Sequence, residues 1–270
     1  MMSYLTAALL GLVEGVTEFL PISSTGHLIL VNRWLSFGEP FTKLFDVVIQ
    51  SGAILAVVIL FWKDIWPKAW TFAVLKKQWG SVLVAFVPTV LIAGLFGSWV
   101  QERLFIPIVV AVALIFYGVI FIIVERRHGR VTRDVKRETS IEADEPTYLH
   151  AFLVGAAQTL ALIPGTSRSG VTILALLLLG YARPAAAKFS FLLAVPTLFA
   201  ASVYSLYKYR EPMANGQYFL LLVGFVSSFV VAYAVSKWLM RYIRSNSFEA
   251  FGWYRVALGV LVLVSMVIFV

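Results

Sequence analysis

The chain has 270 residues, is 60% hydrophobic and 13% charged, and carries a formal net charge of +8 at a mean hydropathy of +0.88. A soluble domain carries about 25% charged residues, so this composition excludes a single water-soluble core and reads as an integral membrane protein. In such a chain the basic excess sets orientation in the bilayer, so no nucleic-acid partner is expected. The absence of cysteine excludes disulfides, zinc–thiolate sites and cysteine nucleophiles.

The first apolar region, residues 5–35, is broken by Pro21 and the polar run Ile22-Ser23-Ser24-Thr25-Gly26-His27. No charged segment precedes it, since the first basic residue is Arg33, so no cleavable leader is expected. Each arm of the break has about 15 residues, short of the roughly 20 that a spanning helix needs. The region therefore predicts a re-entrant helix–loop–helix with its tip at membrane depth. Broken backbone is tolerated there only when buried in protein or lining a wet cavity. Spans follow over 45–62, 81–99 and 106–124, with a short interfacial helix over 66–78. Segment 125–148 is rich in both charge signs and reads as a solvated cytoplasmic linker. Residues 149–180 form a second broken region, interrupted by Pro164-Gly165-Thr166-Ser167-Arg168-Ser169-Gly170. Three further spans lie over 189–206, 217–236 and 254–270.

The order is a hairpin and three spans, twice. Three crossings are odd and a re-entrant hairpin adds none, so the second half is inverted relative to the first. Lys43-Leu44-Phe45-Asp46 and Ala187-Lys188-Phe189-Ser190 follow the two breaks at similar offsets. The predicted fold is an all-α integral membrane protein with six transmembrane helices and two re-entrant hairpins in an inverted-topology repeat. One membrane domain covers 1–270, with repeats over 1–124 and 149–270 joined by the linker 125–148. Such repeats place a site near the midplane, where the two tips meet. Most basic residues, among them Lys63, Lys68, Lys76, Lys77 and those of 126–137, fall on one face, which is expected to be cytoplasmic. Arg168 at a tip and Arg255 at a span edge stand apart from that count. Both termini and the mouth of the first hairpin are then extracytoplasmic.

Glu14 and Glu18, spaced i and i+4, share one helix face. Two carboxylates in an apolar setting repel and resist desolvation. They need a shared proton, a divalent cation such as Mg2+ or Ca2+, or a basic side chain. Ser23, Ser24, Thr25, Gly26 and His27 open the next helix, and a helix N-terminus with nearby hydroxyls suits an anion. His27 can serve as acid, base or nucleophile, or as a simple cap. Arg168 carries a planar fork suited to phosphate, with Thr166, Ser167 and Ser169 as further donors. The alternative for Arg168 is an ion pair with Glu14 or Glu18. Asp46 and Gln50, also i and i+4, either line the same cavity or serve interhelical packing.

Gly15-Val-Thr-Glu-Phe-Leu-Pro-Ile-Ser-Ser-Thr-Gly-His27 and Pro164-Gly-Thr-Ser-Arg-Ser-Gly170 resemble the two signatures of the bacterial undecaprenyl-diphosphatase family, also called the bacitracin-resistance protein family. The resemblance runs end to end and takes in Phe45-Asp-Val-Val-Ile-Gln50 and Phe189-Ser-Phe-Leu-Leu-Ala-Val-Pro196. It implies hydrolysis of undecaprenyl diphosphate to the monophosphate, which recycles the lipid carrier for cell-wall synthesis and confers bacitracin resistance. It implies a multi-pass protein of the bacterial plasma membrane, a divalent cation held by Glu14 and Glu18, and an active site open to the extracytoplasmic side. By matching positions, Glu14, Glu18, Ser24, His27 and Arg168 carry the catalysis, with Ser24 as nucleophile or phosphate ligand and His27 as its proton partner. Ser23, Thr25, Gly26, Thr166, Ser167 and Ser169 would bind phosphate. The partners implied are a polyprenyl diphosphate and membrane lipid. Oligomeric state stays open, with a homodimer among the alternatives.

Two rivals remain at this level. A phosphatidic-acid-type phosphatase needs a second histidine, and the others, His128 and His150, fall in or beside the linker. An inverted-repeat transporter or flippase of a lipid phosphate would need Arg168 but not the Glu14, Glu18 and His27 set.

Overall fold

A computed structural model describes residues 2–32, 35–38, 41–134, 145–208 and 216–268, and these form helices and short connections. Six helices are long and apolar enough to cross a membrane: α3 (Phe41–Leu60), α5 (Phe72–Leu104), α6 (Pro107–Asp134), α9 (Arg183–Lys208), α10 (Gln217–Tyr242) and α11 (Glu249–Ile268). They match the six expected spans. Their outward faces leave Leu95, Phe116, Phe199 and Leu222 exposed. Such a belt would be an anomaly in water but is the normal lipid-facing surface of a bundle.

The two broken regions fold as expected. The first is α1 (Met2–Thr17) and α2 (Ser24–Val31). The second is α7 (Tyr148–Gln158), a 3₁₀ turn (Thr159–Leu162) and α8 (Arg168–Leu178). None of these arms is long enough to span. Each returning helix is capped by a serine in the same unusual backbone state, Ser23 with φ 73° and Ser167 with φ 72°. Each cap accepts a hydrogen bond from a glycine N–H, that of Gly26 and of Gly170. These are the only non-glycine residues at positive φ among the described residues. The strain costs about 1–3 kcal/mol each, and its repetition at matching places in the two halves marks the tips as one device used twice.

Small residues let the helices approach closely. On the α6–α11 contact the closeness is reciprocal. A Cβ on Gly118 would lie 2.8 Å from the Gly252 carbonyl, and one on Gly252 would lie 2.9 Å from that of Gly118. This mutual contact joins the last span of each half. Between α5 and α7 the fit is tighter, with a Cβ on Gly155 placed 2.1 Å from the Ala85 carbonyl.

Two local expectations change. The interfacial helix expected over 66–78 does not form as a unit. A single turn, α4 (Trp62–Ile65), is followed by an unwound stretch, and 72–78 are the first turns of α5. Thr71 caps α5 by accepting from Val74 N–H, which fixes the start there. The stacked rings of Trp62 and Trp66, with Trp70 edge-on, lie exposed beside it, as aromatic side chains do at a membrane interface. The linker expected from 125 starts later, because α6 runs on to Asp134. Glu125 is buried, not solvated. Its carboxylate accepts from Arg183 Nε (3.1 and 3.0 Å to its two oxygens) and from the Phe248 N–H (3.0 Å), tying α6 to the starts of α9 and α11. Residues 135–144 of the linker lie outside the described residues.

Gly155→Ala is expected to push α5 and α7 apart, since the opposing atom is backbone, and to lower stability by about 1–3 kcal/mol. Gly94, with nothing within 4 Å of a Cβ, serves as control: Gly94→Ala is expected to be neutral or to stabilise by up to about 1 kcal/mol. Thermal unfolding of the two variants in one detergent checks both. Equal melting temperatures for the two would show that the close approach does not matter.

Candidate functional site

Glu14 lies on α1 and Glu18 just beyond its end, in the turn that leads to Pro21. Both are nearly fully buried, at 1% and 8% exposed. Glu14 lies within electrostatic reach of Glu18 and of Asp46. Its Oε2 accepts a 2.8 Å hydrogen bond from Ser24 Oγ. Ser24 is the first residue of α2, so the break at Pro21 brings the hydroxyl back onto the helix it left. The leading N–H groups of α2 and α8 have no intrahelical acceptor, which leaves each tip a local source of positive potential.

Arg168 begins α8 and is held from three sides. Its Nη2 meets Glu18 Oε1 at 3.4 Å, its Nη1 donates to the Ser190 carbonyl at 3.0 Å, and its guanidinium lies over the Phe19 ring at 5.6 Å. Its Nε has no partner. The tips therefore meet. Ser169 Oγ adds a further tie, donating to the Leu20 carbonyl at 3.0 Å.

Both tips open on one cavity of about 230 Å³. Glu18, Ser23, Ser24 and Thr25 line it from the first hairpin, and Gly165, Ser167 and Arg168 from the second. Gln50 of α3 lines it too, while Asp46 does not and instead accepts from Asn32 Nδ2 at 3.3 Å. Glu14 sits behind Ser24. Gly26 lies under the cap, its N–H taken by Ser23 Oγ. Thr166 and Ser169 are wholly buried at the tip contact and do not line the cavity.

His27 sits elsewhere than a base for Ser24 would. Its Nδ1 bonds the Ser23 carbonyl at 2.7 Å and its Nε2 the Tyr254 hydroxyl at 2.7 Å. The two rings stack. A carbonyl only accepts, so Nδ1 carries the proton, and in the neutral ring Nε2 accepts from Tyr254. The hydroxyl of Ser24 is bonded to Glu14, not to His27. His150 is bonded to Tyr181, and neither it nor His128 lines the cavity.

Two features of the site escaped the sequence. The first is Arg255 of α11, which is wholly buried. Its Nη1 donates to the Pro21 carbonyl (3.2 Å), and its Nη2 donates to the carbonyls of Gly165 (2.8 Å) and Thr166 (2.9 Å). One side chain thus ties both tips. The second is Gln158 of α7, with Thr89 and Thr197, all lining the cavity. The signal for Arg255 was present, since an ionisable residue beside a span is a functional candidate, but its place near a span end made it look like an interfacial charge. A lone glutamine in an apolar helix carries no such signal.

The fold and site define a polytopic membrane protein with an intramembrane cavity that presents an arginine, carboxylates and hydroxyls together. The sequence profile of the family described as bacitracin resistance protein BacA matches residues 7–261. The chain belongs to that family. It is 49% identical to a protein of Polaromonas sp. over 260 residues, covering 95% of this chain and 93% of that one. It is 44% identical to one of Limosilactobacillus fermentum over 273 residues, covering 97% of each, and 45% identical to one of Enterococcus faecalis over 263 residues, covering 94% of each. All three relatives are named undecaprenyl-diphosphatase.

Arg255→Met keeps volume but leaves the Pro21, Gly165 and Thr166 carbonyls without their donor. Each buried group so stranded costs about 1–3 kcal/mol, so stability is expected to fall by about 3 kcal/mol or more. Arg255→Lys is expected to recover only part of this, because one ammonium lacks the fork. Thermal unfolding in detergent checks the pair. A melting temperature unchanged in Arg255→Met would show that the tips hold without it.

Proposed function

We propose that this protein is a hydrolase of a polyprenyl diphosphate, releasing inorganic phosphate and leaving the lipid monophosphate in the membrane. The observation that carries the reading is the shared cavity, with Arg168 from one tip facing Glu18 and Ser24 from the other. Phosphoryl transfer requires charge neutralisation on the non-bridging oxygens, a positioned nucleophile and a proton acceptor. Arg168 and the N–H groups leading α2 and α8 supply the first. Ser24 supplies the second and Glu14 the third. The names of the relatives, at 43–49% identity over nearly the whole chain, agree with undecaprenyl diphosphate as the substrate. A transporter would need the arginine but would have no use for a serine hydrogen-bonded to a buried carboxylate.

In this mechanism Ser24 Oγ attacks the terminal phosphorus as its proton passes to Glu14. The anhydride P–O bond breaks and the lipid monophosphate leaves. A water then cleaves the phosphoserine, and inorganic phosphate departs. Arg168, fixed by Ser190 and Phe19, binds the equatorial oxygens, and Glu18 keeps its guanidinium aligned. His27 orients the tip through the Ser23 carbonyl and acts as a positioning residue.

The donor set also fits a hard divalent cation. No group of three or more His, Cys, Asp or Glu able to hold a metal occurs among the described residues. Mg2+ is nevertheless commonly held by one or two carboxylates plus substrate phosphates, and Glu14 and Glu18 are such a pair. When bound there, Mg2+ or Ca2+ would neutralise phosphate charge. The protein would lie in the bacterial plasma membrane with the mouth of the first hairpin extracytoplasmic, as the distribution of lysine and arginine suggests.

Purified protein in detergent is expected to release phosphate from undecaprenyl diphosphate and to lose that activity on chelation. Detergent removes any vectorial transport, so the assay separates the classes. Undiminished release from the Glu14→Gln, Glu18→Gln double variant would sink the carboxylate role. Ser24→Ala is expected to lose at least about 100-fold in kcat, while His27→Gln, which removes an orienting group only, loses about tenfold. The reverse order would return the base to His27.

A further inference from the structure

The two halves share a register. Ser23 stands to Ser167 as Gly26 to Gly170 and Phe45 to Phe189. Counting the same number of residues back from each cap, Glu14 of α1 corresponds to Gln158 of α7. Where the first half has a carboxylate behind its tip, the second has a neutral amide.

That amide is 1% exposed and lines the cavity. Its Nε2 donates to Thr89 Oγ1 at 2.7 Å and lies 3.5 Å from Thr197 Oγ1. Both hydroxyls spend their own protons on helix carbonyls, Thr89 on Gly155 (3.2 Å) and Thr197 on Leu193 (2.7 Å). This fixes the amide's orientation, because a hydroxyl whose proton is committed can only accept. The carbonyl end is left over, and Gln158 Oε1 is buried with no partner. A buried acceptor without a donor costs free energy, so its presence in a cavity wall calls for a ligand that brings one. The cavity, at about 230 Å³, far exceeds the roughly 10–15 Å³ that one water needs.

We propose that Gln158, held by Thr89 and Thr197, forms a second subsite of this cavity that takes inorganic phosphate through a P–OH group. In the hydrolase reading, on which the physiological role rests, this subsite grips the terminal phosphate and holds it after the lipid monophosphate has left. Among the described residues, the only charged ones lining the cavity are Glu18 and Arg168, and they pair with one another. A neutral acceptor at Gln158 therefore holds a protonated phosphate oxygen without adding the repulsion that a second lining carboxylate would bring.

The test is inorganic phosphate binding to the full-length protein in detergent, followed by ³¹P line broadening and calorimetry. It is accompanied by the inhibition constant of phosphate against undecaprenyl diphosphate turnover. Gln158→Glu, which puts a charge on the acceptor, is expected to weaken phosphate about tenfold or more, and Gln158→Met, which removes the acceptor at similar volume, by about tenfold. Melting temperatures identify which variant is folded, and a folded Gln158→Met suffices if Gln158→Glu is not. Phosphate affinity and inhibition within twofold of wild type in a folded variant would overturn the subsite. Gln158-dependent phosphate binding in a protein that hydrolyses no polyprenyl diphosphate would keep the subsite and remove the hydrolase reading. Hydrolysis with phosphate binding indifferent to Gln158 would remove the subsite alone.

Discussion

Backbone that leaves its helix inside a bilayer must find hydrogen-bond partners in protein, because the lipid offers none. Here the demand arises twice, at Pro21 and at Pro164, and it is met largely by one guanidinium. Arg255 reaches the carbonyls of Pro21, Gly165 and Thr166 from α11. Only a planar fork with a permanent charge can serve acceptors on two hairpins at once. Its own desolvation is offset by those carbonyls and by the Tyr117 ring, 5.9 Å away. With Ser169 bonded to the Leu20 carbonyl, the tips become a single unit. The distance from Glu18 to Arg168, and with it the cavity, depends on that unit.

On this common frame the halves diverge in charge. Behind the caps the first half carries Glu14 and the second Gln158. At the first position of the returning helix stand Ser24 and Arg168. On the following span stand Asp46 and Ser190, and the Ser190 carbonyl takes Arg168 Nη1 while its hydroxyl shares a hydrogen bond with Thr172. The two glutamates and the serine bonded to one of them thus sit on one hairpin and Arg168 on the other, while both tips carry further hydroxyls. On the proposed reading, neither half alone would both neutralise a phosphate and attack it. Each tip thus meets in its partner hairpin the charge that it lacks.

Much of this was legible because the bilayer simplifies the code. Twenty apolar residues cross and fifteen do not, so the hairpins and spans followed from run lengths, and parity of crossings gave the inversion. What failed were places where a local rule met tertiary contact. The stretch at 66–78 looked amphipathic and interfacial, but the cap at Thr71 joined its second part to α5. Glu125 looked like the start of a solvated linker, but Arg183 and the Phe248 N–H draw it inside. Arg255 looked like a charge at a membrane surface, and no spacing in the sequence says that its fork reaches two loops more than eighty residues upstream. The sequence pairs His27 with Ser24, whereas the Ser24 hydroxyl bonds Glu14 and both His27 ring nitrogens are engaged, by the Ser23 carbonyl and the Tyr254 hydroxyl.

In the proposed mechanism these partners set the direction of proton movement. Ser24 Oγ is turned back towards α1, where Glu14 Oε2 accepts its hydrogen bond. His27 looks across to α11, where its free nitrogen meets Tyr254. With Nδ1 bound to a backbone carbonyl, the imidazole has one nitrogen left, and that nitrogen does not face the cavity. The Ser24–Glu14 bond, at 2.8 Å, lays a direct path for the hydroxyl proton to Glu14 Oε2. The two carboxylates thus have different partners, Glu14 the Ser24 hydroxyl and Glu18 the Arg168 guanidinium. In the proposed mechanism a proton taken up by Glu14 removes a negative charge beside Glu18, which itself pairs with Arg168, so the proton acceptor and the phosphate clamp would be electrostatically linked.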